Sequence, residues 1–132
     1  MMRFFMRAMP VLLLSVVLVT STACGQTRKN INVSEAKAMI DKGGVVVLDV
    51  RTPDEYRAGH LKDAKLANVN DAGFDANIAK LDKNKPVVVY CAVGGRSARA
   101  SDIMVKKGFK NVYNVSGGYN AWSGAGLPTT TK

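Results

Sequence analysis

The sequence predicts an α/β domain in three layers, with a mainly parallel sheet flanked by helices. Two runs carry the prediction. Val45-Val46-Val47-Leu48-Asp49-Val50 and Pro86-Val87-Val88-Val89-Tyr90 are almost wholly apolar, rich in β-branched residues and without alternation. That is the pattern of parallel strands covered on both faces. The third observation is what lies between such runs: segments of helical spacing bounded by caps and glycines, so that strands and helices alternate. In sheets of this kind the reactive site lies beyond the carboxyl ends of the strands. Arg51 and Cys91 fall there.

Taken in order, Ile31-Asn32-Val33 is a short extended piece, and Ser34 reads as a helix N-cap with Glu35 in the first turn. Ala36, Met39 and Ile40 recur at helical spacing until Gly43-Gly44 stops the helix. After the first run, Thr52 is an N-cap, Pro53 the first helical residue, and Gly59 the end. Leu66 to Val69 is a short strand. Asn70 or Asp71 caps a helix through about Leu81, with Phe74, Ile78 and Leu81 on one face. Asp82 to Lys85 turns into the second run. A helix from about Arg96 to Lys107, apolar at Ala98, Ile103, Met104 and Val105, closes at Gly108. Val112 to Val115 is the last strand, and Gly117-Gly118 precedes a short helix carrying Tyr119 and Trp122. No internal repeat or low-complexity segment interrupts this order.

The first 30 residues read as an address label and a tether. Met1 to Arg7 is basic, and Ala8 to Thr20 is an apolar run broken only by Pro10 and Ser15. It is shorter than the roughly 20 residues a membrane span needs, as a signal peptide's apolar region is. Ser21-Thr22-Ala23 supplies small residues for cleavage before Cys24. This junction resembles the lipobox of bacterial lipoproteins, with Ser21 where an apolar residue is usual. Residues 1–23 are therefore expected to be a lipoprotein-type signal peptide, 24–30 a tether and 31–130 the folded domain. Lipidation at Cys24 would hold the chain on the periplasmic side of a bacterial membrane. Cleavage after Ala23 without lipid would release it into the periplasm, and an uncleaved leader would act as an anchor.

The full chain carries a formal +9; Arg3 and Arg7 lie in the leader, leaving +7 on the remainder. That excess serves solubility or biases the surface toward small anions, acidic partners or anionic lipid. The lysines are scattered and not interleaved with aromatics, which speaks against nucleic acid. Cys24 and Cys91 are the only cysteines, so there is no disulfide framework and no Cys-x-x-Cys dithiol. One Cys and one His cannot assemble a typical metal site with several N/S ligands. No cofactor is implied, and a monomer is expected.

The chemistry concentrates in Cys91-Ala92-Val93-Gly94-Gly95-Arg96-Ser97. A thiol between a buried strand and a helix N-terminus meets backbone N–H groups without intrahelical partners. Gly94 and Gly95 let Ala92, Val93 and their neighbours curl into an anion-holding nest. Such a setting lowers a thiol pKa and stabilises a thiolate or an anionic adduct. His60, the lone histidine, reads as a structural residue at a helix end. A lone thiolate with a nearby Arg suits phosphoryl or arsenyl transfer, or sulfane-sulfur transfer through a persulfide. Cysteine phosphatases use Cys-x5-Arg around a tetrahedral phosphate. Arg96 follows Cys91 with one residue fewer, which favours a single terminal sulfur.

These residues resemble the single-domain rhodanese-like family. Val47 to Tyr56 looks like its "(L/I)-(I/L)-D-V-R-x-x-x-E-(Y/F)" stretch, and Gly59 to Ala64 is similar to "G-H-I-x-G-A" with Asp63 in place of Gly. Cys91 to Ser97 matches "C-x-x-G-x-R-S", and Val115 to Trp122 resembles "L-x-G-G-x-x-x-W". The resemblance implies a parallel five-stranded sheet and Cys91 as the nucleophile that accepts sulfane sulfur. It implies an anionic donor such as thiosulfate at Arg96, and cyanide or a thiol as acceptor. Asp49 and Arg51 are expected to brace the loop, and Tyr119 and Trp122 to pack over it. The alternatives are a persulfide carrier that turns over poorly alone and, further off, a cysteine phosphatase or arsenate reductase.

Overall fold

The computed structural model describes residues 27–132. The expected signal peptide (1–23) and Cys24 lie outside the described residues. The described chain runs β1 (Lys29–Ile31), α1 (Val33–Lys42), β2 (Val46–Asp49), α2 (Pro53–Ala58), β3 (Lys65–Leu66), α3 (Phe74–Ile78), β4 (Val87–Tyr90), α4 (Gly95–Lys106), β5 (Val112–Val115) and α5 (Gly118–Gly124). The five strands form one sheet in the order β1-β5-β4-β2-β3, every pairing parallel.

Helices cover both faces, which is why the central strands are apolar without alternation. Val87 and Val89 of β4 point to a core with Phe74, Ile78, Ala100 and Met104, from α3 and α4. Val88 and Tyr90 point the other way, to Ala36, Leu61, Val115 and Trp122. Burying each such aliphatic side chain contributes about 1.5–3 kcal/mol. The two half-cores together fix β4, and Cys91 leaves from its carboxyl end.

Four local expectations are corrected. The N-cap of α1 is Asn32, not Ser34: Asn32 Oδ1 accepts the Glu35 N–H at 2.8 Å, and the Glu35 carboxylate takes the Asn32 N–H at 2.8 Å. Only an Asn32 cap puts Glu35 at the third helical position, where this reciprocal pair closes. The helix expected from Asn70 or Asp71 through Leu81 is only Phe74–Ile78, capped at Gly73. Asn68 Oδ1 takes the Asn70 N–H in a competing turn, and beyond Ile78 the chain tightens, Leu81 N–H bonding to the Ile78 carbonyl. Leu81 still packs on the same core as Phe74 and Ile78. The tether also ends earlier than expected. Lys29 and Asn30 are already sheet, paired with Tyr113 and Asn114 of β5. A polar edge strand carries no apolar signature.

The strand expected over Leu66–Val69 is Lys65–Leu66, although the Ala67 and Val69 N–H groups still bond to the carbonyls of Asp49 and Val50. Helices α2 and α4, strand β5 and the closing glycines lie where the sequence places them. Asp63, standing where the family pattern has Gly, holds φ 61°. The turn is kept, with an aspartate in the left-handed region that glycine would adopt freely.

Candidate active site

The site is built by what surrounds one loop. Past β4 the Cys91 carbonyl accepts the Tyr119 N–H at 2.8 Å, and the Ala92 carbonyl accepts the Asn120 N–H at 3.0 Å. These carbonyls are thus turned toward the first turn of α5, leaving the following N–H groups free to turn inward. The approach of α5 requires Gly118: with φ 53°, any Cβ there would collide with the Cys91 carbonyl oxygen. The paired glycines before α5 are explained by this contact. Gly94, with φ 114°, then caps α4 without a side chain.

Inside the curl, Cys91 Sγ accepts the Gly94 N–H at 3.1 Å and faces the Ser97 hydroxyl at 3.3 Å. Ser97 is fully buried on the first turn of α4, and its Oγ also lies 3.2 Å from the Gly94 carbonyl. Asn114 Nδ2 donates to that same carbonyl at 3.4 Å, tying β5 to the loop. Burial pushes the Cys91 thiol up. The Ser97 hydroxyl and the N–H groups of Ser97, Gly94 and Val93 push it down and prevail, so its pKa lies below the ordinary thiol value. Ala92, Gly95 and the 67% exposed Val93 form the outer rim.

Arg96 is where the sequence places it, at the start of α4, and it is not free. Its two terminal nitrogens donate to Glu55 of α2, Nη1 to Oε2 at 2.8 Å and Nη2 to Oε1 at 2.9 Å. Arg96's hydrogen bonds draw the Glu55 carboxyl down to about 2, against partial burial and with help from Thr52. Sequence reasoning missed Glu55 as a site residue, because an acid in the first turn of a helix already has a local reason to be there.

Asp49 and Arg51 pair as expected, Nη2 to Oδ2 at 2.7 Å, both buried. Arg51 Nη2 also bonds to the Gly59 carbonyl at 2.7 Å. Its guanidinium carbon lies 4.3 Å from the Tyr119 ring and 5.5 Å from the Tyr90 ring. Arg51 thus touches β2 through Asp49, the end of α2 through Gly59 and the first turn of α5 through Tyr119. Trp122 packs in the core with its N–H on the Pro128 carbonyl. His60 is buried and stacked on Tyr56, its ring nitrogens facing the Tyr56 and Lys132 carbonyls. It forms no dyad with Cys91. Among the described residues no three His, Cys, Asp or Glu cluster as metal ligands would.

The model of the rhodanese-like domain matches residues 32–125. The chain belongs to the rhodanese-like family. Over 98 residues this rhodanese-like chain is 34% identical to thiosulfate sulfurtransferase GlpE of Pseudoalteromonas translucida, covering 74% of this chain and 90% of the relative. It is 32% identical over 126 residues to thiosulfate sulfurtransferase 18 of Arabidopsis thaliana, covering 86% and 92%. Its fold is similar to a rhodanese-related protein of Thermoplasma volcanium, with a TM-score of 0.70, 28% identity, and 79% and 99% of the two chains covered.

Proposed function

We propose that this rhodanese-like domain is a thiosulfate sulfurtransferase whose nucleophile is Cys91. The observation that carries the reading is the sulfur's setting: a buried Sγ held by the Gly94 N–H and the Ser97 hydroxyl, with its pKa lowered. In the first half-reaction the thiolate attacks the outer sulfur of thiosulfate. The S–S bond of the donor breaks, and sulfite leaves with the electron pair. The product, Cys91–S–S⁻, places its negative charge on the terminal sulfur, among the loop N–H groups. In the second half-reaction cyanide or a thiolate attacks that terminal sulfur. Thiocyanate or a persulfide departs, and the Cys91 thiolate is restored. Ala92, Val93, Gly94, Gly95 and Ser97 line the cradle, and Arg96 meets the oxyanion end of the donor. Support for the donor comes from the two relatives named as thiosulfate sulfurtransferases.

Thiocyanate formation from thiosulfate and cyanide tests the reading. Wild type should turn over and Cys91→Ser should not; equal rates for the two would sink it. On the leader's pattern we also propose export, with lipid on Cys24 as a membrane tether. An N-terminal peptide carrying an unmodified Cys24 in membrane fractions would reject the lipid.

A further inference from the structure

Both terminal nitrogens of the loop's arginine are occupied by a carboxylate from another helix. That carboxylate does not depend on Arg96 for its place. Glu55 Oε2 also accepts the Thr52 N–H at 3.0 Å and the Thr52 hydroxyl at 3.0 Å, which anchors it on the first turn of α2. The pair is open to solvent at the site, with side chains 28% (Arg96) and 35% (Glu55) exposed. The other arginine braced against the loop, Arg51, is buried and neutralised by Asp49.

From this geometry we propose that Glu55 selects the sulfur donor, by competing with a donor's oxyanion for Arg96 and so favouring weakly charged hydropersulfides over dianions. The inference rests on the sulfurtransferase reading. With the thiolate formed, Cys91, Arg96 and Glu55 together carry one negative charge. A dianion must approach that charge and meets an Arg96 already neutralised by Glu55, which takes one N–H from each terminal nitrogen; at short range each like charge is worth on the order of a kcal/mol even when partly screened. An alkyl hydropersulfide carries at most one negative charge on its sulfurs, and its protonated form, the one attacked, carries none. The Cys91 thiolate attacks its terminal sulfur, the S–S bond breaks, and the alkyl thiolate leaves with the electron pair while the proton stays on the transferred sulfur. Specificity here comes from a repulsive element beside an attractive one.

The test compares kcat/KM for thiosulfate with kcat/KM for cysteine hydropersulfide in wild type and in Glu55→Gln, whose amide oxygen can still cap Thr52. The thiosulfate-to-hydropersulfide ratio should rise about three- to tenfold in the variant, through a lower KM for thiosulfate. Glu55→Ala, which also loses the capping oxygen, should move the ratio the same way. A second readout needs no sulfur transfer. Sulfate, a dianion without a transferable sulfur, should protect Cys91 from iodoacetamide at lower concentration in Glu55→Gln than in wild type. An unchanged or reduced ratio, with unchanged sulfate protection, would overturn the proposal and make Glu55 a prop for Arg96. If wild type transferred sulfur from neither donor, the function reading would fail. Sulfate protection would still decide the role of Glu55.

Discussion

Two arginine–carboxylate pairs flank the cysteine loop, and they differ in almost every respect. Asp49–Arg51 spans two residues of one strand end, is buried, and is sealed by the Gly59 carbonyl and the rings of Tyr90 and Tyr119. Arg96–Glu55 joins residues 41 apart and stands at the surface beside the thiol. The first pair is a brace whose removal leaves an uncompensated buried charge. The second is worth little to stability, because solvent screens it, and its partners can be exchanged for a ligand. The same chemistry thus builds the site at one place and tunes it at the other.

The contrast can be broken from the buried side first. Arg51→Ala should cost about 3–5 kcal/mol by leaving Asp49 unpaired, lowering Tm by more than about 10 °C in a domain of this size. Glu55→Gln should lower it by only a few degrees. Equal losses in thermal unfolding would erase the distinction.

A smaller effect sharpens the role of the loop. Because the Cys91 thiol is lowered, alkylation by iodoacetamide should show a pH midpoint below that of an ordinary cysteine thiol. Ser97→Ala should move that midpoint upward, by removing the largest of the lowering contributions. The linked stability has a definite sign. A depressed thiol stabilises the fold above the unfolded thiol's pKa, and that contribution is lost as pH falls through the folded value. Glu55, at about 2, remains ionised throughout such a titration and adds no step of its own. A midpoint that did not respond to Ser97→Ala would contradict the hydrogen-bond origin of the shift.

The smallest expected effect lies away from both pairs. Asp63→Gly should stabilise the domain by up to about 1 kcal/mol, since glycine adopts the left-handed turn without the aspartate's steric penalty. Chemical denaturation resolves a change of that size.

What could be read in the sequence follows from where each interaction lives along the chain. β2 and β4 were legible because helices on both faces demand unbroken apolar runs. β1 was legible only at Ile31, where the expected extended piece begins, since Lys29 and Asn30 sit on the sheet's edge and face solvent. The end of α3 was hidden by local turns that outcompete the helix, while its buried face at Phe74, Ile78 and Leu81 was plain. In the site, the cysteine loop is contiguous, so its glycines, arginine and serine announce a nest together. Two tertiary contacts could not be seen. Glu55 already had a sufficient local role as an acid in the first turn of α2, and Asn114 is one residue of a strand whose side chain reaches the Gly94 carbonyl. Gly118 was visible as a glycine, but its reason is the backbone of another loop.

The most direct test of the central claim is the mass of the sulfur-loaded protein. After exposure of the domain to thiosulfate and removal of excess donor, intact mass should rise by about 32 Da, one sulfur atom as a persulfide. The peptide containing Cys91 should carry it, and the added mass should disappear on treatment with cyanide as thiocyanate is released. A protein that stays at its original mass while thiocyanate still accumulates would contradict a Cys91 persulfide.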